Sequence, residues 1–239
     1  MSSAVEMSIP SETVRLYAIG DIHGRLDLLE RAIVAIERDV ETHGSDALTI
    51  TLGDYVDRGP DTRGVLDRLA VNPFPTSYVA LRGNHEAMLE DFLADPDMGR
   101  HWYGQGGAET LQSYGVTVRA LIMSNANAAE RLREAMAATH VAFLRSLRMS
   151  FTHGRYFLCH AGVRPGVPLE RQSGRDLLWI RHEFLNCAVD FGKIVVHGHT
   201  PVAMPEVLAN RINIDTGAVF SGRLTCAVLE PDGIRFLAV

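Results

Sequence analysis

The stretch ALTITLGDYVDRG, Ala47–Gly59, decides how this chain is read. Ala47–Gly53 has the composition of a strand and stops on a glycine. Behind the glycine come Asp54, Asp57 and Arg58, polar residues that packing alone would not select. The same arrangement occurs upstream, where VRLYAIG (Val14–Gly20) leads into Asp21-Ile22-His23-Gly24, and downstream, where SYVALRG (Ser77–Gly83) leads into Asn84-His85-Glu86. Helical patterns separate these strands. Leu28, Leu29, Ala32, Ile33 and Ile36 recur at helical spacing within Arg25–Val40, and Arg63–Ala70 and Ala87–Ala94 supply two further helices. Strand-helix-strand repetition implies parallel strands joined by crossover helices. Ligands bind at the carboxyl ends of such strands, so the three loops should converge on one crevice.

Outward from this half the pattern changes. The segment from about 95 to 140 holds GQGGAETLQSYG and an alanine-rich stretch, and it reads as a helical insertion over the sheet. No Pro/Gly/Ser-rich linker flanks it, so residues 1–239 read as a single domain. The last part is richer in strands. RMSFTHGRYFLCH reads as two strands joined at His153-Gly154, and KIVVHG, RINIDTG, LTCAVLE and GIRFLAV add four more. The expectation is a mixed α/β protein with strands enough for two sheets.

Bulk properties exclude some functions. Hydrophobic residues make up 46% of the 239 and charged residues 22%, an ordinary globular balance. The net charge of −6 argues against broad nucleic-acid binding. No apolar run approaches a membrane-spanning length, and MSSAVEMSIPSETV lacks the form of a secretory signal. Cys159, Cys187 and Cys226 are sparse and form no CxxC pair, which fits a reducing compartment. The expected location is the cytoplasm, with no nucleic-acid or membrane partner.

The residue types at the strand exits select the chemistry. Asp, His and Asn offer carboxylate and amide oxygen and imidazole nitrogen, which suit manganese, iron or zinc rather than thiolate-preferring ions. The later half adds His160 in CHAG and His199 in HGHTP, again at strand ends. Asp21, His23, Asp54, Asn84, His160 and His199 are six candidate ligands, too many for one open tetrahedral ion. Two divalent ions sharing a carboxylate fit the count. A lone Asp or His after a strand is ordinarily a turn or helix cap. Three such loops in series, followed by two histidine-bearing strand ends, are not ordinary.

The motifs GDIHG, GDYVDRG, GNHE, HAG and GHTP, spread over Leu16–Leu229, together resemble those of the calcineurin-like metallophosphoesterases. More narrowly, they are similar to the bacterial and bacteriophage phosphoprotein (serine/threonine) phosphatases. The resemblance implies a four-layer sandwich, two mixed β-sheets face to face with helices outside. It implies that Asp21, His23 and Asp54 hold one ion and Asp54, Asn84, His160 and His199 the other, with manganese foremost. By the same resemblance His85 is the general acid, Asp57 fixes its tautomer, and Arg58, Arg181 and Asn84 bind the phosphoryl oxygens. The reaction implied is in-line hydrolysis by hydroxide held between the ions, with a phosphoprotein or small phosphorylated molecule as substrate.

Some positions carry quieter expectations. Arg82 reads as either a phosphate contact or an exposed arginine, His197 as a neighbour of the ligands, Asp215 as a turn residue and Trp179 as core. His43, His101, His140, His153 and His182 show no ligand spacing. The competing substrate class is dinucleoside polyphosphates, whose hydrolases tend to carry GDLVARG. Asp57 favours the phosphatase side of that choice.

Overall fold

In a computed structural model, residues 14–117, 124–231 and 233–239 are described. The reading of the N-terminal residues 1–13, and that of 118–123 within the helical insertion, fall outside them.

Among the described residues, ten strands form two five-stranded sheets. The first has the order β10-β9-β1-β2-β3, built from Gly233–Leu237, Cys226–Glu230, Arg15–Ile19, Ala47–Thr51 and Ser77–Ala80. Strands β1, β2 and β3 run parallel, as the strand-helix repetition requires, while β9 pairs antiparallel with β1. The second sheet has the order β4-β5-β6-β8-β7, from Ser150–His153, Tyr156–Cys159, Ile194–His197, Arg211–Asn213 and Glu206–Val207. Here β5, β6 and β8 are parallel and the two edge strands antiparallel.

Period-two alternation divides each strand between two cores. Leu16 and Ala18 of β1, Leu48 and Ile50 of β2, Leu158 of β5, Val196 of β6 and Ile212 of β8 fill the space between the sheets. Tyr17 and Ile19 face the other way, against Leu28, Leu29, Ile33 and Ile36 of helix α1 (Leu26–His43) and Val65 and Leu66 of α2 (Thr62–Leu69). On the far side Phe157, Cys159 and Val195 pack against Leu177, Ile180 and Phe184. Helix, sheet, sheet, helix is the four-layer sandwich anticipated from the motifs.

Several elements differ from the sequence reading. Helix α3 runs Asn84–Ala94 rather than from Ala87, because Gly83 serves as its N-cap and the Glu86 carboxylate accepts the Gly83 backbone N–H. Asn84, His85 and Glu86 are therefore its first turn. The two-residue strand β7 went unread, since so short an edge carries no periodic signal. The helical segment continues past 140: α4 (Gly99–Trp102), a π-turn over Tyr103–Gly107, α5 (Ala108–Ser113), α6 (Asn125–Ala135) and α7 (Ala138–Ser146) pack on the α1–α3 side. Among the described residues no helix is long and apolar enough to cross a membrane.

Candidate metal centre

Every strand that exits toward the crevice delivers a polar side chain. Asp21 and His23 follow β1, Asp54 follows β2, Asn84 opens α3 behind β3, His160 follows β5 and His199 follows β6. Five residues there hold left-handed backbone despite carrying side chains: His23 (φ 47), Asp54 (φ 52), Asp57 (φ 71), Arg58 (φ 67) and His199 (φ 67). Such a conformation costs about 1–2 kcal/mol per residue, so surrounding contacts must hold it in place.

Those contacts are visible. Ile22 and His23 donate backbone N–H groups to the Asp54 carbonyl at 3.1 and 2.7 Å, and Gly24 donates to Tyr55 at 2.9 Å. A Cβ on Gly59 would overlap the His23 carbonyl oxygen, which explains the glycine there. The carboxylate of Glu86 accepts from the backbone N–H of Gly83, Asp54, Tyr55 and Val56, at 2.9, 2.9, 2.7 and 3.2 Å. One fully buried side chain thus clamps the second and third loops together. Sequence reasoning passed over Glu86, although its place three residues after Gly83 is a capping-box spacing.

Two groups of three donors share Asp54. His23, Asp54 and His85 form one and Asp54, His160 and His199 the other, with ligand atoms in each group within 4.8 Å of one another. His23 donates Nδ1–H to the Val56 carbonyl at 2.8 Å, and His160 donates Nδ1–H to Leu52 at 3.0 Å. Each ring is thereby oriented with Nε2 aimed at Asp54, both at 3.4 Å from a carboxylate oxygen. A backbone carbonyl fixing the tautomer of a metal-binding histidine is the usual outer arrangement. Asn84 Oδ1 lies 2.8 Å from His160 Nε2, and His199 Nδ1 lies 3.2 Å from it. Asp21 accepts from the His199 backbone N–H through Oδ2 at 3.0 Å, while its Oδ1 is buried with no partner. An unpaired carboxylate oxygen beside convergent electron-pair donors fits a cation.

Electrostatics agree with that fit. Burial, then Asp215 and Asp54, push the Asp21 carboxyl well above its usual range. Burial raises Asp215 to about 6. Burial opposes the charge on Asp54 as well, but the four imidazoles around it outweigh burial and hold it low. Three carboxyls in one dry site form a sink for positive charge. Burial lowers His23 to about 3 and His199 to about 2, and lowers His160, leaving neutral imidazoles as metal binding requires.

His85 behaves differently. Burial lowers its pKa, but Asp54 and the bond to Asp57 outweigh that and raise it. Its Nδ1–H donates to Asp57 Oδ2 at 2.7 Å, and its Nε2 lies 3.9 Å from Asp54. Arg58 Nη1 reaches His23 Nε2 at 3.1 Å, and Arg181 donates from Nε to His199 Nε2 at 3.1 Å. Two guanidinium groups therefore flank the donor cluster from different loops.

Of the remaining positions, some depart from expectation and others meet it. Trp179 is 41% exposed rather than core, with its ring edge-on to His199 at 6.2 Å. Asp215 is buried beside Asp21, in addition to its turn bond from the Gly217 N–H at 2.8 Å. Arg82 pairs with Glu90. His197 is buried edge-on to Phe184, its Nε2 without a partner. His140 is a satisfied core histidine, bonded to the Tyr114 hydroxyl at 2.7 Å and to Asp67 at 2.9 Å.

Oxygen and nitrogen donors in two groups about one carboxylate, at the strand ends of a four-layer sandwich, form a site suited to divalent metal ions. The chain belongs to the calcineurin-like phosphoesterases, whose family profile matches residues 14–236. It is 29% identical to serine/threonine-protein phosphatase 1 of Salmonella typhimurium over 220 residues, covering 90% of this chain and 92% of that protein. It is 30% identical to the asymmetrical bis(5'-nucleosyl)-tetraphosphatase PrpE of Anoxybacillus flavithermus over 227 residues, covering 87% of each. In fold it is similar to the crystal structure of a candidate diadenosine tetraphosphatase, with TM-score 0.66, 20% identity and 96% of both chains covered.

Proposed function

We propose that the protein is a serine/threonine protein phosphatase that hydrolyses phosphomonoesters with His85 as general acid. The observation that carries this reading is the buried His85–Asp57 pair, 2.7 Å apart, beside the donor cluster. A serine or threonine alkoxide is a far poorer leaving group than a nucleotide phosphate. A proton donor at the point of departure therefore matters most for alkyl phosphoesters.

We assign Asp21, His23 and Asp54 to one ion and Asp54, Asn84, His160 and His199 to the other, with the unpaired Oδ1 of Asp21 supporting its place there and His85, though grouped with His23 and Asp54, kept for the proton. Manganese is our first assignment, with iron or zinc as alternatives. Such ions supply Lewis acidity and activation of water. The chain's own residues do the rest. Arg58 and Arg181 bind the phosphoryl oxygens with planar, permanently charged groups, and Asn84 adds an amide donor. Asp57 holds His85 with Nε2 free to carry the proton that the leaving oxygen takes. The left-handed turns at Asp54, Asp57 and Arg58 keep these groups in place before substrate arrives. We take the chain as one catalytic unit acting in the cytoplasm, a placement supported by three unpaired cysteines.

A second reading is hydrolysis of dinucleoside polyphosphates. It is favoured by a cavity of about 440 Å³ lined by Arg175, Trp179 and Arg181, together with Glu183 and an Arg164 already paired to Asp176. An exposed indole and cationic side chains are what a nucleobase and its phosphates would use. Side-by-side kcat/KM values for a phosphoserine peptide, a phosphotyrosine peptide and diadenosine tetraphosphate decide between them. The phosphoserine peptide should be preferred; a tenfold or greater preference for the nucleotide would replace the first reading with the second.

A further inference from the structure

Asp57 is fully buried and meets more donors than His85 alone. Its Oδ2 accepts from Trp102 Nε1–H at 2.9 Å as well as from His85, and its Oδ1 accepts from the Thr110 hydroxyl at 2.7 Å. The same hydroxyl accepts the Asp57 backbone N–H at 2.9 Å. Trp102 and Thr110 thus hold both the carboxylate and the left-handed backbone of one residue. Neither lies in a metal-binding loop; both come from the helical segment between β3 and β4.

The donors are themselves fixed. The Trp102 ring is 1% exposed and stacks on Phe92 of α3, the helix that carries His85, with centroids 4.6 Å apart and planes 25° apart. A Cβ on Gly107 would overlap the indole. Gly106, at φ 103, accepts the Arg58 backbone N–H through its carbonyl at 3.0 Å, and a Cβ there would crowd Arg58. The π-turn therefore presses against the Asp57–Arg58 turn while Trp102 and Thr110 reach Asp57 from either side of it.

We propose that Trp102 and Thr110 are positioning residues for proton donation, aiming Asp57 and through it His85 at the leaving oxygen. A carboxylate with free rotation could satisfy its oxygens several ways. One bonded on Oδ1 by Thr110 and on Oδ2 by Trp102 presents a single remaining direction to His85 Nδ1. The proposal rests on the reading of His85 as general acid.

The test compares two leaving groups. Nitrophenolate departs readily without protonation, whereas a serine alkoxide does not. Trp102→Phe keeps a ring and removes the N–H; Thr110→Val keeps the shape and removes the hydroxyl. Each should lower kcat for a phosphoserine peptide about tenfold. The loss with p-nitrophenyl phosphate should be several-fold smaller, with manganese content near that of the parent and Tm lowered by a few degrees. Thr110→Ser should restore the peptide rate. Equal losses on both substrates, or no loss, would overturn the inference. His85→Asn is measured alongside. If it too treats both substrates alike, His85 is not the acid, and the inference falls with that assignment. If it discriminates while Trp102→Phe and Thr110→Val do not, the inference alone falls.

Discussion

Glu86 Oε2 accepts the backbone N–H of Asp54 at 2.9 Å, so a residue with no assigned chemistry holds the carboxylate shared by both donor groups. Glu86 makes three further bonds of this kind, and together they fold the GDYVDRG turn onto the first turn of α3.

Glu86→Ala would leave four backbone donors without their acceptor in a buried site. Each unsatisfied buried donor costs about 1–3 kcal/mol, so a loss of at least ~3 kcal/mol is expected. Urea unfolding measures it, and the variant should bind fewer manganese equivalents per chain than the parent. Unchanged stability would show that water replaces the carboxylate and that Glu86 is not the clamp.

Gly59→Ala places a methyl group against the His23 carbonyl, where there is no room for it. The first and second loops must separate, and His23 moves from Asp54. Weakened manganese affinity with a smaller change in Tm is the expected pattern, read by metal titration and thermal melting. Parent-like affinity would mean that the loops tolerate the displacement.

Far from the metal centre, Asp39 offers a stability prediction with a defined pH dependence. Its carboxylate accepts from Arg235 Nη1 and Nη2 at 2.6 and 2.7 Å and from the Tyr17 hydroxyl at 2.6 Å. The Arg235 bonds lower its pKa below the ordinary carboxylate value, and burial only partly offsets them. A carboxyl lowered on folding stabilises the protein above its unfolded pKa of about 3.9, and that contribution is lost as pH falls through the lower folded value. Asp39→Asn should cost about 1–2 kcal/mol at neutral pH. The parent's excess stability over the variant should begin to fall below about pH 4 and disappear only as the pH drops through the lower folded value. A pH-independent difference in urea midpoint would remove Asp39 from the account.

The legible part of this protein was whatever a strand end announces locally. Asp21, His23, Asp54, Asn84, His160 and His199 each follow a short apolar run, and parallel topology carries them to one edge without further information. What escaped notice depends on contacts between distant segments. Trp102 meets Asp57 across 45 residues and Thr110 meets it across 53, and neither sits in a recognisable pattern. Trp179 reads as core because an aromatic in an apolar stretch usually is; its exposure follows from its place at the end of the short helix Gly174–Trp179, beside the cavity. The influence of Asp215 on the Asp21 carboxyl acts between residues 194 apart in sequence, where one carboxyl after a strand looks like any turn.

In the proposed function Asp54 is shared by two metal ions and hydrolysis depends on both. Manganese equivalents per chain and the p-nitrophenyl phosphate rate, measured on the parent and on Asp54→Asn, test it most directly. The parent should hold two equivalents. The variant should hold no more than one, with kcat lower by about a thousandfold or more. Two equivalents retained in Asp54→Asn with an undiminished rate would contradict it.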